Sequence, residues 1–336
     1  MLKKLLWSGI AFILVAAVTG CEQVDQQEPA RPFPKVTIAT TSAFTGYIIV
    51  VAHKQGYFSD EGLDVTLSSA YPHGKASLMA MEEGAVDFAP SSETPFMRAV
   101  LNGSEISIVA VTTIPRNHLA VVARKDKGIE TFSDLKGKTV AVTIGSNGEY
   151  FLDLVLLMNG FSRADLTYVN TKPVEMIEAI TTGKVDAVAT WDPIQLKVRK
   201  VLGENTRVFT SQGVYDPMFI ISATKKYIAS NPDIVKKVVQ ALYNSSAFIN
   251  ANHIEARKMV SEYYKVDKVL LEETEASSNV KFDISLNQSL LVLLEDQTRW
   301  AIKNKLTDLT EVPNYLDYIY LDALEEINSD AVTIIH

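Results

Sequence analysis

The chain has 336 residues, 47% of them hydrophobic and 21% charged, a balance that builds globular cores and excludes a disordered or fibrous protein. Its formal net charge is −8, so nucleic acid, whose phosphate backbone is held by clustered Lys and Arg, is not an expected partner. The length suffices for two domain-sized cores.

Residues 1–20, MLKKLLWSGIAFILVAAVTG, join Lys3 and Lys4 to an uncharged run from Leu5 to Val18. This is the layout of a secretory signal, and the run is shorter than the roughly 20 apolar residues that span a bilayer. The only cysteine, Cys21, closes the tetrad VTGC, which resembles the lipobox of bacterial lipoproteins. That resemblance implies cleavage before Cys21, lipidation of its thiol and a membrane contact made through the lipid. With no second cysteine, a disulfide does not account for it. Removing Lys3 and Lys4 takes the net charge to −10. Residues 21–34, polar and proline-rich, read as the lipidated Cys and a flexible tether.

From Lys35 onward, short β-branched runs alternate with amphipathic stretches, the pattern of an α/β fold. In chain order the expected strands are KVTIAT, LDVTLSS, VDFAPS, ISIVAVT, LAVVAR, KTVAVTI, LTYVNT, VDAVATW, RVFTS and MFIISA. Helical periods lie between them, in GYIIVVAHKQGYF, KASLMAMEEG, TPFMRAVLNG, GEYFLDLVLLMNG, VEMIEAITTG and PIQLKVRKVLG. Several end on Gly, the favoured residue just past a helix. From Thr224 to about Ile327 the period is almost entirely helical.

One pattern occurs twice. MEEGAVDFAPSSETPF (81–96) returns as ITTGKVDAVATWDPIQ (180–195), each with Gly-x-Val-Asp and each with an acid nine positions after its glycine, Glu93 and Asp192. Upstream of each copy another strand enters a helix, through TSAFTG in the first half and GSNG in the second. Two such units per half suggest two similar α/β lobes, with loops at the carboxyl ends of parallel strands facing one cleft.

The ordered series KVTIATTSAFTGYIIVVAHKQGYFSDEGLDVTL, GAVDFAPSSETPF, ETFSDLKGKTVAVTIGSNGEYFL and GKVDAVATWDP resembles solute-binding proteins of ABC importers, in the nitrate/sulfonate/taurine and thiamine-precursor group. The resemblance covers roughly Lys35 to Lys305. It implies the two-lobe fold of type II periplasmic binding proteins, with the cleft between the lobes and two crossing segments. Lobe 1 would comprise 35–122 and 220–336, and lobe 2 residues 123–219. It also implies a small-molecule ligand, an ABC permease and ATPase as partners, a monomer, and exposure outside the cytoplasm.

Loops that open helices present unpaired N–H groups and the positive end of the helix dipole, a ready anion site. TSAFTG, SSETP and IGSNGE supply Ser42, Phe44, Tyr47, Ser91, Ser92, Ser146 and Asn147 as candidate contacts, although such residues also cap helices everywhere. The amide of Ser146 is expected to donate to the ligand. Phe44, Tyr47, Tyr150, Trp191 and Tyr215 could wall an apolar cleft or pack in cores. Glu93, Asp192 and Asp216 either cap helices and lock the lobes or meet an amine or ring N–H of the ligand. Arg116, ahead of the first crossing, is the best-placed cation.

No Gly-x-Ser-x-Gly elbow, P-loop or His-Glu-x-x-His occurs, and the five histidines are scattered. No enzyme, cofactor or metal is therefore expected. The ligand expected first is a small organic anion or zwitterion such as taurine or an alkanesulfonate. The alternative is a pyrimidine or other heteroaromatic vitamin precursor, and a sensor role for the same fold stays open.

Overall fold

The structure is a computed structural model that describes residues 32–41, 44–69, 71–210, 213 and 215–336. The signal segment, Cys21, most of the tether and Ser42 lie outside the described residues. Among the described residues no helix is long and apolar enough to cross a membrane.

The chain first lays down β1 (Lys35–Ala39), α1 (Tyr47–Gln55), α2 (Tyr57–Asp60), β2 (Asp64–Ser68), α3 (Gly74–Glu82), β3 (Ala89–Ser92), α4 (Glu93–Leu101) and β4 (Ile106–Thr113). It crosses into β5 (Leu119–Arg124), β6 (Thr139–Val142), α5 (Asn147–Met158), β7 (Thr167–Asn170), α6 (Met176–Thr181), β8 (Ala187–Trp191), α7 (Ile194–Leu202) and β9 (Thr206–Phe209). It returns through β10 (Phe219–Thr224) and α8 (Lys225–Ser230) to α9 (Pro232–Ala251), α10 (His253–Tyr264), α11 (Lys268–Ser278), β11 (Phe282–Ser285), α12 (Gln288–Lys303) and α13 (Asp322–Ile327).

These strands form two separate main sheets, ordered β11-β4-β10-β3 and β7-β6-β8-β5-β9, with a parallel β1-β2 pair beside the first. A bridge between Ile38 and Phe88 joins that pair to the first sheet. The fold is the expected α/β architecture of two lobes. All eight residues of β4 are buried, as a strand covered on both faces requires. In β5 the side chains alternate between two cores: Leu119, Val121 and Ala123 join one, Ala120 and Val122 the other. Helix α9 buries Val235, Val238, Val239, Leu242 and Ile249 along one stripe. Ser245 on that stripe donates to the carbonyl of Ile48 at 2.9 Å, fixing α9 against α1.

The repeated Gly-x-Val-Asp has the same task in both lobes. Gly84 and Gly183 end α3 and α6 at φ 76° and 75°, a left-handed conformation that costs a glycine little. The chain then turns so that Asp87 reaches β1 and Asp186 reaches β6, each a strand of its own lobe. Asp87 Oδ2 accepts the Thr37 amide at 2.7 Å, and Asp186 Oδ2 accepts the Thr139 amide at 2.9 Å. The main chain repeats the equivalence: Asp87 N–H donates to Thr37 O at 2.8 Å and Asp186 N–H to Thr139 O at 2.9 Å.

One expectation is refined and one corrected. The last third is almost entirely helical, as expected, and the strand within it, β11, pairs antiparallel with β4. It has only four residues, buried at Phe282, Ile284 and Ser285 and exposed at Asp283, too short a window for its period to stand out between two helices. Ser92, expected in a loop just past the strand VDFAPS, belongs with Ser91 to β3, and α4 opens at once on Glu93.

Asp87→Ala and Asp186→Ala are each expected to lower stability by about 1–3 kcal/mol, the cost of leaving a part-buried amide unpaired. Urea unfolding measures this. Losses below about 0.5 kcal/mol in both, the size of an ordinary surface substitution, would remove the anchoring role.

Candidate functional site

Between the two main sheets lies a cleft of about 300 Å³. Six strand-to-helix turns reach it. They supply Thr41 and Thr45 after β1, Pro72 to Ala76 after β2, and Ser92 and Pro95 at the start of α4. From the other side come Thr143 to Asn147 before α5, Asn170 to Lys172 before α6, and Trp191 at the end of β8. His118 and Phe219 line it where the chain crosses between lobes.

The turns come this close for definable reasons. A Cβ on Gly74 would fall 2.8 Å from Cβ of Ser91, so only glycine lets α3 start against β3. At Gly148 a Cβ would lie 3.4 Å from the Trp191 ring and 3.4 Å from the Ala189 carbonyl, which keeps the first turn of α5 pressed on β8. Ser146 caps α5, its Oγ accepting the Gly148 amide at 3.1 Å and donating to Thr143 O at 2.6 Å. The Ser146 amide, expected to serve the ligand, donates instead to Thr143 O at 3.3 Å. The next amide, of Asn147, is the first one the helix leaves without a main-chain acceptor.

The lining has one charge sign. Among the described residues Lys75 and Lys172 are its charged ones, and no Asp or Glu lines it. Lys172 also stands 3.9 Å from Glu175 in an exposed pair, too loose and solvated to cancel its charge. Burial pushes the pKa of His118 down to about 3. His73 is held below the usual histidine range, mainly by burial and then by the neighbouring Lys75.

Of the sequence candidates, Ser92, Ser146, Asn147 and Trp191 line the cleft. Phe44 stands behind His118, with ring centroids 5.9 Å apart. Tyr47 is core: its ring packs 4.7 Å from that of Phe282, and its hydroxyl donates to Glu275 at 2.9 Å. Ser91 is buried beneath Gly74. Tyr150 packs edge-on to Tyr215 and to Trp300 at 4.9 and 5.2 Å. Arg116 is exposed, and its amide donates to Ser278 O at 2.8 Å. None of these five residues lines the cleft.

The two repeat acids are buried at the junction of the lobes. Glu93 accepts from the Tyr215 hydroxyl, from the Met218 amide at 2.8 Å and from Gln297 at 2.8 Å. It thereby fastens the returning crossing segment to α4 and α12. Asp192 accepts the Ser278 hydroxyl at 2.9 Å, and its amide donates to His118 O at 3.1 Å, which fastens the end of β8 to α11 and to the first crossing. Burial raises both carboxyls, Asp192 to about 7. A third tie is Trp300, whose indole N–H donates to Asp153 at 2.8 Å and so joins α12 to α5.

Thr41, Thr45, His73, Lys75, His118, Thr143, Asn170, Thr171 and Lys172 line the cleft without having been singled out. The repeat displayed two strand-to-helix turns per half. The remaining turns, YPHGK after LDVTLSS and NTKP after LTYV, carry the signal that finds most of them.

A protein-family model described as NMT1/THI5 like matches residues 43–256. The chain belongs to this family. It is 24% identical over 295 residues to a Bacillus subtilis protein provisionally named for binding aliphatic sulfonates, covering 84% of this chain and 86% of the relative. It is 26% identical over 277 residues to the riboflavin-binding protein RibY of Chloroflexus aurantiacus, covering 76% and 77%. The structure of the periplasmic aliphatic sulphonate binding protein SsuA from Escherichia coli superposes with a TM-score of 0.74 at 18% identity, covering 86% of this chain and 98% of that one. That likeness gives the NMT1/THI5 like chain the periplasmic binding protein fold.

The raised Asp192 carboxyl sets a pH dependence. Its folded value of about 7 lies above the ordinary 3.8, so between those values the folded chain holds the proton more firmly than the unfolded one. Its contribution to stability is therefore largest at acid pH and is lost as pH rises toward 7. Urea melts from pH 4 to pH 7 are expected to show a shallower decline for Asp192→Asn than for the unaltered chain. Identical slopes would show that the Asp192 proton does not govern stability there.

Proposed function

We propose that this protein is the extracytoplasmic solute-binding lipoprotein of an ABC importer, and that it captures a small organic anion of the sulfonate type. One observation carries the reading: among the described residues two lysines and no carboxylate line the cleft of a chain whose net charge is −8. Such a local reversal of sign raises the concentration of anions at the site. The helix starts at Gly74 and Asn147 add neutral N–H donors of the kind that bind tetrahedral oxyanions without a metal. The names carried by SsuA and by the Bacillus subtilis relative agree with this class.

The mechanism follows from two lobes and their crossings. Ligand held by Lys75 from one side and Lys172 from the other favours the closed arrangement, because only that arrangement lets both contacts form. The closed surface is what a permease would read. Catalysis plays no part. The second reading is a heteroaromatic ligand, favoured by Trp191 and Phe219 in the cleft wall and by the similarity to RibY.

Titration calorimetry with ethanesulfonate, taurine, nitrate and riboflavin separates the two. The anion reading expects a sulfonate to bind, and Lys75→Met and Lys172→Met each to weaken it roughly tenfold, about 1.4 kcal/mol. Binding of riboflavin alone, undiminished in both variants, would replace this reading with the second.

The anchor is tested apart from the ligand. The chain is expected to fractionate with membranes through Cys21, and Cys21→Ser to release it into the soluble fraction. A mature N-terminus beyond Cys21 in the mass spectrum would contradict the lipoprotein assignment.

A further inference from the structure

His118 stands one residue ahead of β5, where the chain leaves the first lobe, and it lines the cleft while being 2% exposed. Its ring meets Phe219 edge-on, with centroids 5.3 Å apart at 83°, and lies against Phe44 at 5.9 Å. Its carbonyl accepts from the Asp192 amide at 3.1 Å and from the Gln195 side chain at 3.3 Å. The main chain is thus pinned by the turn after β8 while two aromatic rings hold the imidazole. Yet its Nδ1 is buried and meets no partner among the described residues.

A buried polar atom without a partner destabilises a fold, and native structures keep few of them. An apolar side chain would fill the space between Phe44 and Phe219 without that cost. The position is also unsuited to holding an anion by charge. Burial drives its pKa to about 3, so at neutral pH the ring carries one N–H donor and one acceptor nitrogen and no charge. Charge comes from other turns, through Lys75 and Lys172.

We propose that His118 is a specificity-determining ligand contact whose ring nitrogen bonds an uncharged polar group of the ligand. The cleft accordingly selects a bifunctional anion over a plain alkyl one. The charged group meets the lysines and helix starts, and a hydroxyl or similar group meets His118. This rests on the anion reading above and narrows it. A hydroxyl suits either tautomer, since it both donates and accepts.

The matched pair for the test is ethanesulfonate and 2-hydroxyethanesulfonate, titrated by calorimetry into the unaltered chain, His118→Phe and His118→Asn. The unaltered chain is expected to bind the hydroxylated ligand about tenfold more tightly. In His118→Phe the ratio of the two affinities falls to about one, and in His118→Asn, whose amide places polar atoms near the position of Nδ1, part of the preference returns. Equal affinities in the unaltered chain, or a preference that survives in His118→Phe, overturn the proposal and leave the anion reading standing. If neither sulfonate binds, the anion reading fails and this inference falls with it. Nitrogen-15 resonances of the His118 ring in the unaltered chain give a reading that needs no variant. 2-Hydroxyethanesulfonate is expected to shift a ring nitrogen more than ethanesulfonate does, and equal or absent shifts count against the proposal.

Discussion

An aspartate bonded to the amide of a neighbouring strand is the constraint on which the rest is arranged. Asp87 on Thr37 and Asp186 on Thr139 set where β1 stands beside β3 and where β6 stands beside β8. Once those neighbours are fixed, the turns that follow the strands emerge on the same side, and their helices start toward the same space. The cleft is what remains between two sets of such turns. Gly84 and Gly183 matter because only after their left-handed turn can the aspartate reach back.

Charge is sorted by depth. The acids Glu93 and Asp192 lie inside the junction of the lobes, Glu93 bonded by the Met218 amide and the Gln297 side chain and Asp192 by the Ser278 hydroxyl. The lysines reach the cleft. Burial raises both carboxyls, which favours their neutral form and so weakens any repulsion of an incoming anion. The acids that complicate an anion reading of the bare sequence are thus the bolts of the junction, and the lining they leave behind is positive.

Much of this was legible in the sequence. Ten of the strands follow from β-branched runs between glycines, and the repeat announced two lobes because a period longer than any single element survives local noise. Ser146, Asn147 and Trp191 could be placed because they sit just past strongly patterned strands. The depth of the acids was not legible. Glu93 and Asp192 look like surface caps in a linear reading, and their partners Gln297 and Ser278 lie 204 and 86 positions away. Tyr47 misled for a related reason: its partner Glu275 belongs to α11, 228 positions on. Lys75 and Lys172 escaped because a single lysine beside a helix start is common, and only the fold brings these two to one cleft.

The strand order also dictates when each half of the molecule can form. Every partner of β4 in the first sheet, β10 on one side and β11 on the other, comes from beyond residue 218, and β3 pairs in that sheet with β10 alone. The second sheet draws all five of its strands from residues 119–209. A chain emerging from its amino end therefore holds everything the second lobe needs while the first still lacks its central strand. Local pairings form faster than those that must close long loops. The lobe in the middle of the sequence is therefore expected to fold first as a unit, and the lobe whose sheet waits for β10 and β11 to close later.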